Sequence, residues 1–556
     1  MFKSGAAGGI QSILKDGGKH FAGVDDAVLK NIDAAKQISQ LTKSSFGPHG
    51  MSKLIVNHLD KHFITRDAAV MLTEMEVMHP AAKLVVMAAK SQEQECGDGT
   101  NFVSILSGEL LVQAEEMLKQ GVHVADIVRG FELALKHTLT TLTTATPTLT
   151  LSLSHSTTQA ELAKYLQTAV ASKQYGQEEV IANLVATACL QSYPKAETAR
   201  AGEVNVFNAD DVRIAKLVGG GDLYSSYVVS GCVVGRDAMG HIKNKNNCKV
   251  AVFSVGLEMT NTETGGQVLI TTADELLNFT KGEETRMEQF VKELAAAGVG
   301  CVITGGSVQD LALHYLNLYD IMTVKVTSKF ELKRLADAIG AAQMVRLGCP
   351  LPEETGYAES VRVEEVSSQK ITVVKSRDSR ISTIVLRGAT VNALEEVERA
   401  VVDSVNLFRC LAVKNELVFV YGAGAAEVLL AERVRQYAGT HAGLEQYGVA
   451  AFAEALDAVV RCIADNAGLR GNEVLASVLA AQQSGKKTAC VDVTGVNGGV
   501  GDAAKIGVYD HLSTKSWAIR LAVDAALTIL RTQHIIVAKQ AGMPTKPKGE
   551  SNVDDD

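Results

Sequence analysis

The chain has 556 residues, 46% hydrophobic and 21% charged, with a formal net charge of −9. An acidic balance with no basic stretch counts against nucleic acid as a partner, and the length corresponds to roughly three to four domains of ~150 residues. No run approaches the ~18 apolar residues of a membrane helix, and "MFKSGAAGGIQSILKDGGKH" lacks the apolar core of a signal peptide; a cytosolic protein with no membrane role is expected. The nine cysteines are odd in number and none sits at zinc-knuckle spacing. That argues against a zinc knuckle and a disulfide framework and predicts small buried thiols.

The first 145 residues read as mostly helical. In "VHVADIVRGFELALKHTL", Ile127, Phe131, Ala134 and Leu135 recur at helical spacing. "MSKLIVNH" and "KHFITRD" read as short strands around a turn. The Thr/Ser-rich "TLTTATPTLTLSLSHSTTQ" marks a boundary, and helices are predicted over about 160–192. From about 215, strands such as "CKVAVFSV", "VGCVITGG" and "DIMTVKVT" alternate with helices, which predicts an α/β domain with a largely parallel sheet. "STIVLRG" is a predicted strand. After it Leu394, Val397, Val401, Val405 and Phe408 form one helical stripe, and Asp403 lies about 180° round that helix from Leu394 at ~100° per residue. The tail "GMPTKPKGESNVDDD" reads as disordered.

Four stretches carry candidate chemistry. In "GDGTNF", Gly97 and Gly99 allow close backbone approach ahead of a helix whose free N–H groups suit an anion. Asp98 could hold Mg2+ against phosphate oxygens, and Thr100 and Asn101 could add donors. A Walker loop needs G-K-[ST] and a calcium loop needs alternating acids; neither is present. A plain helix-capping turn remains open. "SSFGPHGMSK" is a rigid turn, and Asp67 in "ITRDAA" is a strand-end acid or a cap. "VYGAGAAEVLL" approximates a dinucleotide G-x-G-x-x-G but ends in Glu427. With "GVNGGVGD" it leaves a dinucleotide-dependent soluble enzyme as an alternative.

The order of these stretches resembles the group II chaperonins, specifically a subunit of the eukaryotic cytosolic chaperonin (TRiC/CCT), along essentially the whole chain. "FGPHGMSKLIVNHLDKHFITRDAA" is similar to the family's G-P-x-G-M and T-N-D-G segments, and "SQEQECGDGTNF" to its G-D-G-T-T motif with Asn101 replacing the second Thr. "ASKQYG", "LLNFTKGEE", "GGSVQDLALHYL", "TIVLRGAT", "HAGLEQYGVAAFAEAL" and "SWAIRLA" extend the likeness. The resemblance implies a multidomain chaperonin fold. A mainly α equatorial domain would comprise 1–145 and 405–540, and a small α/β intermediate hinge 146–215 and 370–404. An inserted α/β apical domain with a helical lid protrusion would span 216–369, with 541–556 as a disordered tail. It implies an ATPase using ATP/ADP and Mg2+, working with seven paralogous subunits in an eight-membered ring, two rings stacked. Unfolded client proteins would be enclosed and contacted near 328–341 and 255–285.

Carried residue by residue, the resemblance places Phe46, Gly47 and Pro48 around the nucleotide and Asp98 on the metal. Gly99, Thr100, Asn101 and Phe102 would line the phosphates. Ser172 and Lys173 would reach in from the hinge, with Lys173 sensing the γ-phosphate. Gly422 and Gly424 would form a turn beside the nucleotide, and Asp492 and Asp510 would lie near adenine and ribose. Asp403 would orient the attacking water once the hinge closes, assisted by Asp67. Arg66, Ala68, Val402 and Ala423 depart from the family pattern, which leaves room for a ring subunit that binds nucleotide with little hydrolysis.

Overall fold

The computed structural model describes residues 19–21, 24–144, 146–152, 158–193, 207–258, 271–367, 369–377, 379–412, 416–495, 498–532 and 535–537. The tail 541–556 and part of the expected lid segment, 259–270, lie outside them. The chain begins with strand β1 (Lys19–Phe21), helix α1 (Val24–Lys43), the hairpin β2 (Lys53–Val56) and β3 (His62–Thr65), and helices α2 (Ala68–Glu74), α3 (Pro80–Cys96), α4 (Thr100–Lys119) and α5 (Val124–Thr144). Next come β4 (Thr148–Ser152), α6 (Gln159–Ala171) and α7 (Glu178–Ser192). The middle of the chain runs β5 (Val212–Val218), β6 (Tyr227–Val234), β7 (Asn244–Phe253), α8 (Ala273–Ala296), β8 (Val299–Thr304), α9 (Asp310–Leu318), β9 (Met322–Lys325), α10 (Lys329–Ile339), β10 (Gln343–Met344), β11 (Gly356–Val366), β12 (Gln369–Lys375) and β13 (Ser382–Gly388). The last part holds α11 (Val391–Ala412), β14 (Glu416–Tyr421), α12 (Ala425–Ala438), α13 (Glu445–Asn466), α14 (Gly471–Gln483), β15 (Ala489–Val491), β16 (Val500–Asp502), α15 (Ala503–Ile506), β17 (Tyr509–His511), α16 (Leu512–Arg531) and β18 (Ile535–Val537).

The two chain ends build one helical core. Ile105 and Leu110 of α4, Phe131 of α5, Phe452 of α13 and Ile519 of α16 all sit in it, fully buried. Phe131 meets Phe452 edge-on at 6.3 Å, an arrangement worth about 0.5–1.5 kcal/mol beyond the buried area. Strands β1 and β18 pair antiparallel, joining the two ends directly.

The middle block is less parallel than its strand–helix alternation predicts. The main sheet runs β5-β13-β6-β12-β11-β7-β8-β9, with β10 beside β7. Only β5–β13 and the group β7, β8, β9 and β10 pair parallel; β13–β6, β6–β12, β12–β11 and β11–β7 are antiparallel. The parallel group is the one threaded by helices, since a parallel neighbour needs a crossover. The short loop between β11 and β12 closes an antiparallel pair instead.

Helices α6, α7 and α11 share a core of their own. The predicted stripe Leu394, Val397, Val401, Val405 and Phe408 faces into it, with Phe207 edge-on to Phe408 at 4.7 Å. Helix α6 starts in a capping box: the Thr158 side chain accepts from the Glu161 N–H, and Glu161 accepts from Thr158 N–H. The boundary read at 139–159 is partly ordered structure, because β4 adds to β14 in register Leu149↔Phe419.

Candidate functional site

Helix α3 stops at Gly97 (φ 77°), whose N–H bonds back to Gln92 and Glu93 carbonyls, and α4 starts from Gly99 (φ 84°). Side chains rarely adopt either conformation. The first helical bond of α4 is from Val103 N–H to Gly99 O, so the N–H groups of Thr100, Asn101 and Phe102 have no intrahelical acceptor. They form a positive helix end. Gln92 Nε2 braces the loop, donating to Asp98 O at 2.8 Å and Thr514 O at 3.2 Å.

This loop floors a cavity of about 380 Å³. Phe46, Gly47 and Pro48 form one wall, Asp98, Gly99 and Phe102 the floor, and Ser172 enters from the end of α6. Gly424, Asp492 and Asp510 close the far side. Gly422 lies just behind: a Cβ there would come 2.9 Å from an Asp510 carboxylate oxygen. Its contribution is to leave room for Asp510. Ala423 lines the cavity in a positive-φ turn (φ 52°), the position where the family's glycine-rich turn would have glycine.

Behind the floor lies a buried charge cluster. Lys173, just past the end of α6, pairs with Asp403 of α11, and its Nζ is 3.6 Å from Asp67 Oδ1. Asp67 caps α2, its Oδ2 accepting from Val70 N–H, and accepts a 2.5 Å bond from Thr100 Oγ1 at the start of α4. All three charged side chains are buried. Asp403 does turn from the apolar stripe as the wheel predicts, but into this cluster instead of solvent. Helix α11 is already docked on the helical core: Arg399 donates to Ile64 O at 2.8 Å, Arg409 to Gln94 O at 2.9 Å. A Cβ on Gly97 would come 2.4 Å from Asn406 Cβ.

Burial pushes the Asp67 carboxyl up, but Lys173, the Thr100 hydroxyl and the Val70 N–H hold it below its ordinary 3.8. The stability this supplies is complete above 3.8 and lost as pH falls through the lower folded value. Asp67→Asn is therefore expected to flatten the acid side of the stability curve, read from urea midpoints across pH.

Asp98 is shifted the other way. Burial raises its carboxyl, and Lys173 only partly offsets this. Its ionised form is only partly compensated, and a divalent cation would supply the rest. Among the described residues no group of three or more His, Cys, Asp or Glu could cage a metal. One carboxylate beside a helix N-terminus instead suits Mg2+, which is normally held by one or two carboxylates, phosphates and water.

Three expectations change. The Asn101 side chain does not face the cavity: its Oδ1 accepts from Ala68 N–H at 2.7 Å, and its Nδ2 donates to Arg66 O at 2.9 Å. Asn101 anchors the turn that presents Asp67 and offers phosphate only its backbone N–H. The Thr100 hydroxyl is likewise spent on Asp67. Lys173 does not line the cavity; it engages two carboxylates behind the floor. The departure at Arg66 has a structural reason, since its guanidinium donates to Pro48 O and Ser52 Oγ, both at 3.2 Å, tying the cavity wall to the hairpin. Nothing in the structure explains Val402, which is exposed.

Sequence reasoning missed Lys515. It lines the cavity, pairs with Glu427 and lies 2.5 Å from Asp510 Oδ2. Burial opposes its charge, yet the two carboxylates raise its pKa. The glycine turn before Glu427 does sit between β14 and α12, but β14 pairs antiparallel with β4 and β17. A dinucleotide crevice needs parallel neighbours, so that alternative loses its context.

A jointly built helical core, the helix α11 with its buried acid and a phosphate-suited loop beneath a cavity fit a chaperonin architecture. The chain belongs to the TCP-1/cpn60 chaperonin family, which matches residues 38–540. Within it, the chain is similar to T-complex protein 1 subunit theta of Homo sapiens, 43% identical over 553 residues covering 99% of this chain and 98% of that protein. It is similarly close to subunit theta of Dictyostelium discoideum (42% identical, 98% of this chain and 100% of that one). The likeness extends to subunit theta of Arabidopsis thaliana (41%, 98% and 97%). It is a chaperonin subunit, of the kind that folds other proteins.

Proposed function

We propose that this subunit hydrolyses Mg-ATP and that hydrolysis drives the motions by which a cytoplasmic, hetero-oligomeric double ring encloses unfolded clients. Each eight-membered ring would combine this chain with seven paralogues. The observation that carries the reading is the convergence of Asp403 and Asp67 on Lys173 behind a cavity floored by Asp98 and the start of α4.

The N–H groups of Thr100, Asn101 and Phe102 would hold the terminal phosphates, and Asp98 would hold Mg2+. When bound, that ion supplies charge neutralisation across the phosphate oxygens. Asp403 would accept a hydrogen bond from the attacking water and hold it in line. Asp67, fixed by Thr100 and Asn101, would orient the same water from the helical core. Lys173 favours the ionised form of Asp67 and pairs with Asp403. Because Asp403 rides on α11 while Asp67 and Asp98 belong to the core, the water site exists only while α11 is docked, which couples chemistry to hinge motion.

Native gel filtration and subunit identification test the assembly: a particle near a megadalton containing paralogous chains is expected, and a monomer or small oligomer would sink the reading. A ring subunit with little hydrolysis has one observation in its favour, the engagement of Asp403 by Lys173. Trapping with an ATP transition-state analogue separates the two: the active reading requires Asp403 to leave Lys173 and face the γ-phosphate analogue.

A further inference from the structure

We propose that Cys96 and Cys410 are a modification site: a dithiol that small-molecule disulfides oxidise to a reversible cross-link pinning α11 to the metal-binding loop. The consequence for turnover rests on the ATPase reading above; the cross-link does not.

The two thiols come from different parts of the fold. Cys96 is the last residue of α3, next to Gly97, and Cys410 lies near the end of α11, about two turns after Asp403. The two thiols are close enough to act on each other. Cys410 Sγ also donates to Glu95 O at 3.2 Å, and Arg409 holds the Gln94 and Glu95 carbonyls at 2.9 and 3.2 Å. The two backbones run close here, as the 2.4 Å approach of a Gly97 Cβ to Asn406 shows. The pair is graded in access: Cys96 is buried, while Cys410 is partly exposed. Cys248 and Cys301 share one core, on β7 and β8, but both are buried beyond an oxidant's reach. Cys410 has the character of the attacking group as well. The Cys96 thiol beside it and the Arg409 guanidinium hold its thiol below the ordinary value against burial.

The reaction balances with a low-molecular-weight disulfide, such as oxidised glutathione, as the oxidant. The Cys410 thiolate attacks one of its sulfurs; the S–S bond breaks and one small thiolate leaves, taking up the proton Cys410 gave away. Cys96 then loses its proton and attacks the Cys410 sulfur, and the second small thiolate leaves with that proton. Two protein thiols are oxidised and one small disulfide is reduced to two thiols. The product ties the helix bearing Asp403 to the residue before Gly97-Asp98-Gly99. With that helix fixed, the hinge cannot cycle.

The test treats the full chain in its assembled particle with oxidised glutathione and maps disulfides in non-reduced peptides. A Cys96–Cys410 linkage is expected, removed by dithiothreitol and absent in Cys96→Ala and in Cys410→Ala. Oxidation should lower steady-state ATP turnover severalfold in the wild type and leave both variants unchanged. If no such linkage forms under conditions that modify exposed Cys349, the proposal is overturned. A linkage that forms without altering turnover overturns the regulatory role. If the reduced particle has no ATPase activity, the functional reading has failed, and peptide mapping still decides the thiol pair.

Discussion

Asp403→Asn is expected to lower single-turnover ATP hydrolysis at this subunit by ~10²–10⁴-fold, the usual contribution of a positioned acid–base group, while nucleotide affinity stays within a few-fold. The split follows from where the residue lies. Asp403 is not in the cavity wall; it sits behind the floor, held by Lys173. The cavity itself is lined by Gly99, Phe102, Gly424 and Asp510 and not by residue 403. The fold should also survive, because Asn keeps the volume and Lys173 retains Asp67 at 3.6 Å. Asp98→Asn is the useful contrast. Its carboxylate lies in the cavity floor, where burial already disfavours its charge, so its loss should abolish Mg2+-dependent retention of nucleotide as well as turnover. Titrating a fluorescent ATP analogue with and without Mg2+ separates the two variants. Full single-subunit turnover by Asp403→Asn in an assembled ring would remove Asp403 from the mechanism.

Much of this arrangement could be read from sequence because its signals are local. The 3, 4, 4, 3 spacing from Leu394 to Phe408 located α11 and its buried face, and Ser382–Gly388 formed the strand its β-branched run predicts. What lies opposite a residue is not local. The helical wheel turns Asp403 away from the apolar stripe but cannot say that Lys173 waits there, more than two hundred residues earlier in the chain. Strand order fails for the same reason: β13 takes β5 and β6 as neighbours, and nothing in "STIVLRG" specifies either partner. Lys515 was illegible because its burial depends on two carboxylates, Asp510 nearby in sequence and Glu427 on the first turn of α12, 88 residues earlier. Asn101 was misread because an amide donates and accepts equally well. Only the fold shows that both halves are used by the backbone around Asp67.

Lys173→Met should be the most destabilising change in the site. Removing one partner of a buried ion pair costs about 3–5 kcal/mol, because the remaining charge is left in a poorly solvated place. Here two carboxylates are stranded, Asp67 and Asp403, each less than a tenth exposed. The side chains are close enough that one should take up a proton, raising its folded pKa above the unfolded value. The penalty is then fully present above that raised value and relieved as pH falls through it. The gap between variant and wild type in urea midpoint should therefore be widest near neutral pH and narrow in acid. Adding Asp403→Asn to Lys173→Met removes one stranded charge and should recover a large part of the lost stability, a coupling that a double-mutant cycle measures directly. Turnover should not recover with it, since the acid proposed to hold the water is gone. Recovery of stability alone marks Lys173 as the group that keeps two acids charged in a buried site. If the second substitution recovers nothing, the cluster does not share its charge as the geometry requires.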